Sequence, residues 1–291
     1  MDEKTALHTA ARRFCMAQKS HWWERYRQLE LEGKSQVKAP QSSFGWNYSE
    51  AAFALFPRYR LDDEILAEVE SLVPATYTSQ AELLRALSNA AERGFTKLES
   101  QFELNPVAMS ALRNELASFL GYVADDDGGE LNGVEPLPFR RVLATSESDH
   151  LWRLLAERWG VGEQHYWFPL NGETPPKKNV IAFHKELWDA CGGTSLLLGS
   201  LAEHGIERCY VLRELGPPDY ELDRSAIDAH YDGSEAYITS DAEWLLYSSH
   251  ESSITVAGWL ADCFRRQWPD AYKVTYSGPF HTGDLRGTWK F

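Results

Sequence analysis

Residues 235–268 constrain the fold of this chain more than any other stretch. They read EAYITSDAEWLLYSSHESSITVAGWLADCFRRQW, in which short apolar runs alternate with polar residues before a helical pattern begins. The polar centre, SSHESS, separates two apolar segments and is typical of a hairpin turn. After Gly258 an apolar stripe follows at helical spacing, made of Trp259, Leu260, Cys263, Phe264 and Gln267. The stretch therefore predicts two strands, a turn, a third strand and a helix that packs on them.

The first residues of the chain have the pattern of one long helix. Apolar residues recur at three- and four-residue steps over residues 3–33, and Gly33 is a suitable end point. Trp22 and Trp23 are adjacent in this helix, and adjacent helical residues point about 100° apart, so both cannot face one core. We therefore expect one of the two indoles to contact a second surface or a partner.

Further helices are expected between residues 49 and 120. Ser49 is a suitable N-cap for a short helix that Pro57 ends, and Asp62 is a suitable cap for the next helix. Ser79 begins a capping box before a third helix, and Pro106 is placed to start a fourth. Up to this point the sequence predicts an almost entirely helical structure.

The composition changes at residues 124–138, ADDDGGELNGVEPLP, which are acidic and rich in glycine and proline. Such a segment is typical of a linker, so we expect a mainly helical region at 1–123 and an α+β domain at 139–291. Residues 181–205 are predicted to be helical, with an interruption at Gly192-Gly193. The predicted fold class is α+β: a helical N-terminal part followed by a mixed, mostly antiparallel sheet with flanking helices.

The charge of the chain is negative and unevenly distributed. The formal net charge is −14, although residues 1–60 carry 10 Lys and Arg against 6 Asp and Glu. Residues 201–262 carry 3 Lys and Arg against 13 Asp and Glu, a net charge of −10. A field of this sign repels nucleic acid and anionic membranes and attracts basic proteins. We therefore expect a basic protein partner, no nucleic acid and no membrane; an acidic surface that only keeps the protein soluble is the alternative.

The cysteines favour a reducing compartment. The chain has four, which are widely spaced in apolar surroundings and form no CxxC pair: Cys15, Cys191, Cys209 and Cys263. This pattern is more typical of buried thiols than of a disulfide framework. The N-terminal sequence has no basic-then-apolar signal segment, and no apolar run approaches the ~18 residues of a membrane span. The sequence therefore predicts a cytoplasmic protein.

Residues 191–195 (CGGTS) are a candidate for nucleophilic chemistry. A cysteine at a helix N-terminus is activated by the helix dipole, and four histidines are available by sequence as a base: His184, His204, His165 and His250. Against this, Cys191 shares a helical face with Trp188 and Leu198, which favours a buried thiol and a close helix contact at the glycines. The sequence has neither metal-ligand spacing of His and Cys nor a phosphate-binding glycine loop, so we expect no metal and no cofactor.

The basic, aromatic N-terminal helix is a second candidate. Basic residues interleaved with aromatic ones can hold single-stranded nucleic acid. Those around Trp22-Trp23 are Arg12, Arg13, Lys19, His21, Arg25 and Arg27. Acidic residues are interleaved with them, and the charge of the remaining chain opposes nucleic acid. Packing of the helix on its own acidic domain is therefore the favoured interpretation.

The sequence as a whole favours a non-enzymatic acidic protein that binds another protein. Its most concrete form is an intracellular inhibitor or immunity protein that occludes a basic toxin such as a nuclease, with carboxylates for steering and aromatic anchors for slow release. The predicted partner-binding residues are Asp219, Tyr220, Glu221, Asp223, Asp228, Tyr231, Asp232, Glu235, Asp241, Glu243, His250 and Glu251. Two alternatives stay open: a cysteine-dependent hydrolase or transferase that uses Cys191 with His184, and a structural subunit of a larger assembly.

Overall fold

The computed structural model describes residues 2–39, 46–124, 135–162, 167, 179–190, 192–214, 216, 218–229, 236–249 and 253–268. The chain divides into two compact units, residues 1–137 and residues 138–291. Among the described residues, the first unit is helical apart from one pair of short antiparallel strands, and the second contains a seven-stranded sheet with helices. The predicted α+β class, with a helical N-terminal part, is confirmed.

Four helices make up most of the first unit: α1 (Glu3–Leu31), α2 (Glu50–Glu70), α3 (Gln80–Phe102) and α4 (Pro106–Ala124). A hairpin of β1 (Gln36–Lys38) and β2 (Trp46–Tyr48) connects α1 to α2, and a 3-10 turn at Pro74–Thr76 connects α2 to α3. Ser49 and Ser79 cap α2 and α3 as predicted, because each hydroxyl accepts a backbone N–H of the first turn. Fully buried side chains between the helices include Ala11, Cys15, Leu61, Ile65, Leu83, Leu87, Leu112 and Phe119.

The continuity of α2 corrects the prediction of two helices. Pro57 does not end a helix but lies inside α2, where it is buried. Proline costs one backbone hydrogen bond in a helix, and here the packing of α2 against α1, α3 and α4 compensates for that loss. Asp62 is therefore not a cap: it lies within the helix and is completely buried.

The second unit contains a sheet of seven strands with helices on both faces. Its strands are β3 (Arg140–Val142), β4 (Val180–His184), β5 (Arg208–Arg213), β6 (Tyr220–Asp223), β7 (Ala236–Thr239), β8 (Trp244–Ser248) and β9 (Ser253–Gly258). Its helices are α5 (Thr145–Trp159), α6 (Lys185–Ala190), α7 (Gly193–Glu203) and α8 (Trp259–Gln267), and a 3-10 turn lies at Arg224–Ala226. The strand order is β3-β6-β5-β7-β8-β9-β4, and every neighbouring pair is antiparallel.

Alternate residues of β8 enter different cores. Trp244 and Leu246 lie in one core with residues of α6, α7 and α8, whereas Leu245 and Tyr247 lie in another with residues of α5. This alternation follows from the two-residue period of a strand, and it explains why WLLY reads as a continuous apolar run. The predicted order of two strands, a third strand and a helix over residues 236–267 is confirmed, although Gln267 is exposed rather than part of the buried stripe.

The segment predicted as a helix over residues 181–205 begins instead with a strand. Val180–His184 forms β4 and pairs with β9 in antiparallel register, with Ile181 opposite Val256 and Phe183 opposite Ile254. Helix follows only from Lys185, and it is interrupted before Gly193, where an interruption was predicted. Tertiary pairing with a β-branched strand outweighs local propensity in this short apolar run.

Candidate functional site

Seven of the twelve predicted partner-binding residues lie in the described part of the chain, and these seven are spread over several elements. Four of them lie on or next to β6, one follows the 3-10 turn after it, and two lie in the turn between β7 and β8. Tyr231, Asp232, Glu235, His250 and Glu251 lie outside the described residues. The environment of each described residue determines what it can contact.

Asp219 is a structural acceptor inside the second unit. Its side chain is 5% exposed and accepts hydrogen bonds from the Arg213 backbone N–H at 2.7 Å, from the Trp152 indole at 3.1 Å and from the Ser148 hydroxyl. Because Trp152 and Ser148 belong to α5, Asp219 joins that helix to the sheet. The neighbouring Tyr220 is also buried, with the Arg140 guanidinium 4.0 Å from its ring centroid. Both side chains are therefore too deeply buried in this structure to contact a partner.

Glu221 and Asp223 on β6 are occupied by cations of the same unit. Arg141 donates to Glu221 at 2.7 Å, and Arg208 lies 3.7 Å from Glu221 and 3.5 Å from Asp223. Asp223 also accepts the Phe139 backbone N–H at 2.7 Å. Arg141 further donates to both carboxylate oxygens of Glu147, and these hydrogen bonds lower the pKa of Glu147 to about 2.

The remaining described candidates are more exposed. Glu243 pairs with Arg158 of α5, while Asp241 accepts the Glu243 backbone N–H at 2.9 Å, and both side chains lie in exposed positions. Asp228 is exposed as well. The surface formed by residues 201–262 therefore carries less negative charge than the count of its acidic residues indicates, because Arg141 of β3 and Arg158 of α5 neutralise two of them. Binding through its remaining carboxylates stays a prediction.

The cysteine alternative is only partly described. Cys191 lies outside the described residues, whereas His184 ends β4 opposite Ser253, and its Nδ1 accepts the Glu186 backbone N–H at 3.3 Å. The two glycines have different structural roles: Gly192 adopts a φ of 69°, which favours glycine, and a Cβ on Gly193 would lie 2.3 Å from the Trp188 ring. The interpretation as a close packing contact therefore accounts for Gly193 and a backbone requirement accounts for Gly192, while catalysis by Cys191 stays a prediction.

A surface of stacked aromatic rings is the most distinctive exposed feature of the first unit. We call it the aromatic surface; it consists of Trp23 and Tyr26 of α1, Tyr48 of β2, and Phe56 and Tyr59 of α2. Trp23 lies 5.2 Å from Tyr59 and 6.0 Å from Tyr26 between ring centroids. Phe56 lies 5.6 Å from Tyr26, 6.1 Å from Tyr48 and 6.3 Å from Tyr59, so the five rings are continuous.

The aromatic surface is partly open to solvent. Trp23 is 43% exposed and Tyr48 is 38% exposed, whereas Tyr26 is buried beneath them at 5%. Rings held from below by other rings have few accessible rotamers, so a partner that contacts them orders little additional side-chain freedom. The adjacent indoles have different neighbours, since Trp23 contacts Tyr26 and Tyr59 whereas Trp22 lies against Arg25 and Arg58; contact of either indole with a partner stays a prediction.

The basic residues of α1 do not form a free cationic stripe. Three of the six predicted residues are held by oxygen atoms of the same unit: Arg12 by Glu70 at 3.1 Å, Arg13 by the Glu135 carbonyl at 2.7 Å and Lys19 by Asp63 at 2.6 Å. Arg25 and His21 pack on the Trp22 ring, at 5.5 and 4.7 Å from its centroid, and Arg27 is exposed. Interaction with an acidic backbone such as nucleic acid gains little from cations that are already paired.

Three members of the aromatic surface were not predicted from the sequence. Tyr48, Phe56 and Tyr59 lie within the aromatic run FGWNYSEAAFALFPRY of residues 44–59. A helix that ended at Pro57 would have separated Phe56 from Tyr59. The continuous α2 instead places Phe56 and Tyr59 three residues apart on one face.

Comparison with protein-family models, with curated proteins and with solved structures finds no match for this chain. Among the described residues, no cluster of three or more His, Cys, Asp or Glu side chains is arranged to hold a metal ion. In the same part of the chain, no helix has both the length and the apolar character needed to cross a bilayer.

Proposed function

We propose that this chain is a non-enzymatic protein-binding protein that engages its partner through the aromatic surface of the first unit. The observation that carries this proposal is Trp23, which is 43% exposed although its ring is stacked on Tyr26 and packs at a tilt against Tyr59. A large indole that is both exposed and held in place matches the anchors that dominate protein interfaces. The second indole of the pair, Trp22, lies under Arg58 and Arg25 instead.

The composition of this surface favours a protein over other ligands. Trp, Tyr and Arg are the residues most enriched among interface hot spots, and Lys19 and Arg60 lie within 5.6 and 6.0 Å of the Tyr59 and Phe56 ring centroids. Since Lys19 is bound to Asp63, its charge is not available to a phosphate group without loss of that pair. Apolar contact is therefore the main contribution that the surface offers.

The most concrete form of the proposal is an inhibitor or immunity protein that occludes a basic protein, such as a toxin nuclease. The support is the formal net charge of −14, which acts on an approaching protein at longer range than any single pair. Asp228 and Asp241 are exposed carboxylates of the second unit that would contribute to this field. In this account charge accelerates the encounter, and the aromatic surface slows dissociation.

A comparative capture experiment tests the proposal. Tagged wild-type protein, the Trp23→Ala/Tyr59→Ala double variant and the Leu104→Ala variant are used as baits in extract of the source cell. Leu104 is a matched control because it is 93% exposed and apolar but is no member of the aromatic surface. We expect one basic protein to be retained by the wild type and by Leu104→Ala and lost from the double variant. Identical retention by all three baits would overturn the proposal.

A further inference from the structure

A layer of buried charged groups lies within the helical unit, next to the aromatic surface. Arg58 of α2 donates to the Glu115 carboxylate of α4 at 2.8 Å, and the exposed side-chain fractions are 20% for Arg58 and 2% for Glu115. The same guanidinium carbon lies 4.7 Å from the centroid of the Trp22 ring. Arg58 thus connects a carboxylate on α4 to the residue that precedes Trp23.

Asp62 lies one helical turn after Arg58 and is completely buried. Neither of its carboxylate oxygens has a hydrogen-bond partner among the described residues. Burial raises the pKa of Asp62 to about 9, the nearby Glu115 charge adds to the increase, and Arg58 opposes it. A buried carboxyl without a partner is stable only in its neutral form, so Asp62 carries its proton at neutral pH.

The other charged groups around Asp62 are engaged elsewhere. On α1, Arg12 is bound to Glu70. The Cys15 thiol of the same helix is buried, and burial raises its pKa; the nearby carboxyl groups of Asp62, Glu70 and Glu115 raise it further. On α2, Asp63 is bound to Lys19. On α3, Arg93 binds Glu68, and Lys97 binds both Glu64 and Glu68. Arg58 is therefore the cation that a charged Asp62 could recruit.

We propose that Asp62 and Glu115 compete for Arg58, and that the proton on Asp62 keeps Arg58 on Glu115 and on the face of Trp22. Residues four apart on a helix are neighbours, so Asp62 lies within the reach of Arg58, whose Nε in this structure donates to the Ala54 carbonyl at 3.2 Å. When Asp62 releases its proton to solvent, its new charge attracts the guanidinium. Arg58 then leaves Glu115 and Trp22, and the α1–α2 contact beside Trp23 loosens.

The structural part of this inference is independent of a partner; its effect on binding rests on the proposed function. Trp22 and Trp23 are consecutive residues of α1, and Trp23 packs against Tyr59, which follows Arg58 in α2. A shift of Arg58 therefore changes the packing between α1 and α2, the two helices that carry most of the aromatic surface. Protonated Asp62 maintains the surface as described, and deprotonation alters it.

The test follows the indole N–H resonance of Trp22 in the full-length chain during a pH titration, with the resonance assigned from a Trp22→Phe variant. We expect a transition near pH 9 in the wild type, since that is the pKa of Asp62. Asp62→Asn should abolish the transition, because asparagine cannot ionise. Glu115→Gln should move it to lower pH, because it removes both a repelling charge and the competitor for Arg58.

Two outcomes would overturn the inference: no transition of Trp22 in the wild type, or the same transition in Asp62→Asn. Glu115→Gln keeps the test decisive even if the Asp62 variant does not fold, because an unmoved midpoint in that variant contradicts the competition. The affinity for the partner is measured separately as a function of pH. A Trp22 transition that follows Asp62, combined with a pH-independent affinity, would count against the aromatic surface as the binding site and leave the competition intact.

Discussion

The Trp23 ring of α1 packs against the Tyr59 ring of α2 with 5.2 Å between the ring centroids and an interplanar angle of 38°, and 43% of Trp23 remains exposed. This contact with an adjacent helix fixes the indole before any partner arrives. An exposed aromatic ring that is already ordered costs less conformational entropy on binding than a free one. The pair therefore stabilises the contact between α1 and α2 and at the same time holds an exposed ring in a fixed orientation for a partner.

Asp62 makes the stability of the chain depend on pH in a specific direction. Its pKa is raised from 3.8 to about 9 by burial, so the folded state holds a proton that the unfolded state releases above its own, lower pKa. Relative to Asp62→Asn, the free energy of unfolding of the wild type should fall by up to about 1.4 kcal/mol per pH unit between these two pKa values. Denaturant unfolding, followed by the helical circular dichroism signal at several pH values, measures this difference. Parallel stability curves for the two proteins would contradict the assignment.

Asp219 should act on stability rather than on partner binding. Asp219→Ala removes the charged acceptor that Asp219 provides to the half-buried Arg213 N–H and Trp152 indole, and a hydrogen bond to a charged group contributes about 1.5–3 kcal/mol. Denaturant unfolding should show this loss, and a Glu157→Ala control on the exposed face of α5 should stay within about 0.5 kcal/mol of the wild type. An unchanged stability of Asp219→Ala with a slower association rate would instead place this residue in the binding surface that the sequence predicted.

Gly193 should be required for packing in the second unit. In Gly193→Ala the new methyl group would meet the Trp188 ring at 2.3 Å, so the buried indole has to move, at a cost of about 1–3 kcal/mol. Gly199 is a matched control on the same helix, because a methyl group added there would have no neighbour within 4 Å, and Gly199→Ala should stabilise the protein by up to about 1 kcal/mol. Thermal unfolding of both variants measures the contrast. Equal stabilities would show that Gly193 is not kept for this contact.

The sequence predicted the elements whose signals are local. Residues 236–267 fold as expected because strand alternation, a glycine and a helical stripe agree within one short stretch. Ser49 and Ser79 cap helices because a cap needs only its own next three residues. The prediction was wrong where tertiary packing decided: Pro57 was tolerated within α2, and residues 181–184 became part of a strand because β9 lies beside them.

The candidate sites depend on long-range contacts that no local pattern contains. Arg141 and Arg158 neutralise Glu221 and Glu243 from 80 and 85 residues away in sequence, so the count of acidic residues overstated the charge of their surface. Tyr59 meets Trp23 only because α2 continues past Pro57 and packs on α1. The charge of a segment can be read from a sequence, but the identity of its neutralising partners requires the fold.

The most direct test of the binding account is calorimetry with the purified partner that the capture experiment selects. The dissociation constant is measured for the wild type, for Trp23→Ala and for Leu104→Ala at one salt concentration. We predict that Trp23→Ala weakens binding by about 30-fold, which corresponds to about 2 kcal/mol, the loss typical of a hot-spot residue. Leu104→Ala should bind as the wild type does. A Trp23→Ala variant that folds normally and binds with the wild-type dissociation constant would contradict the account.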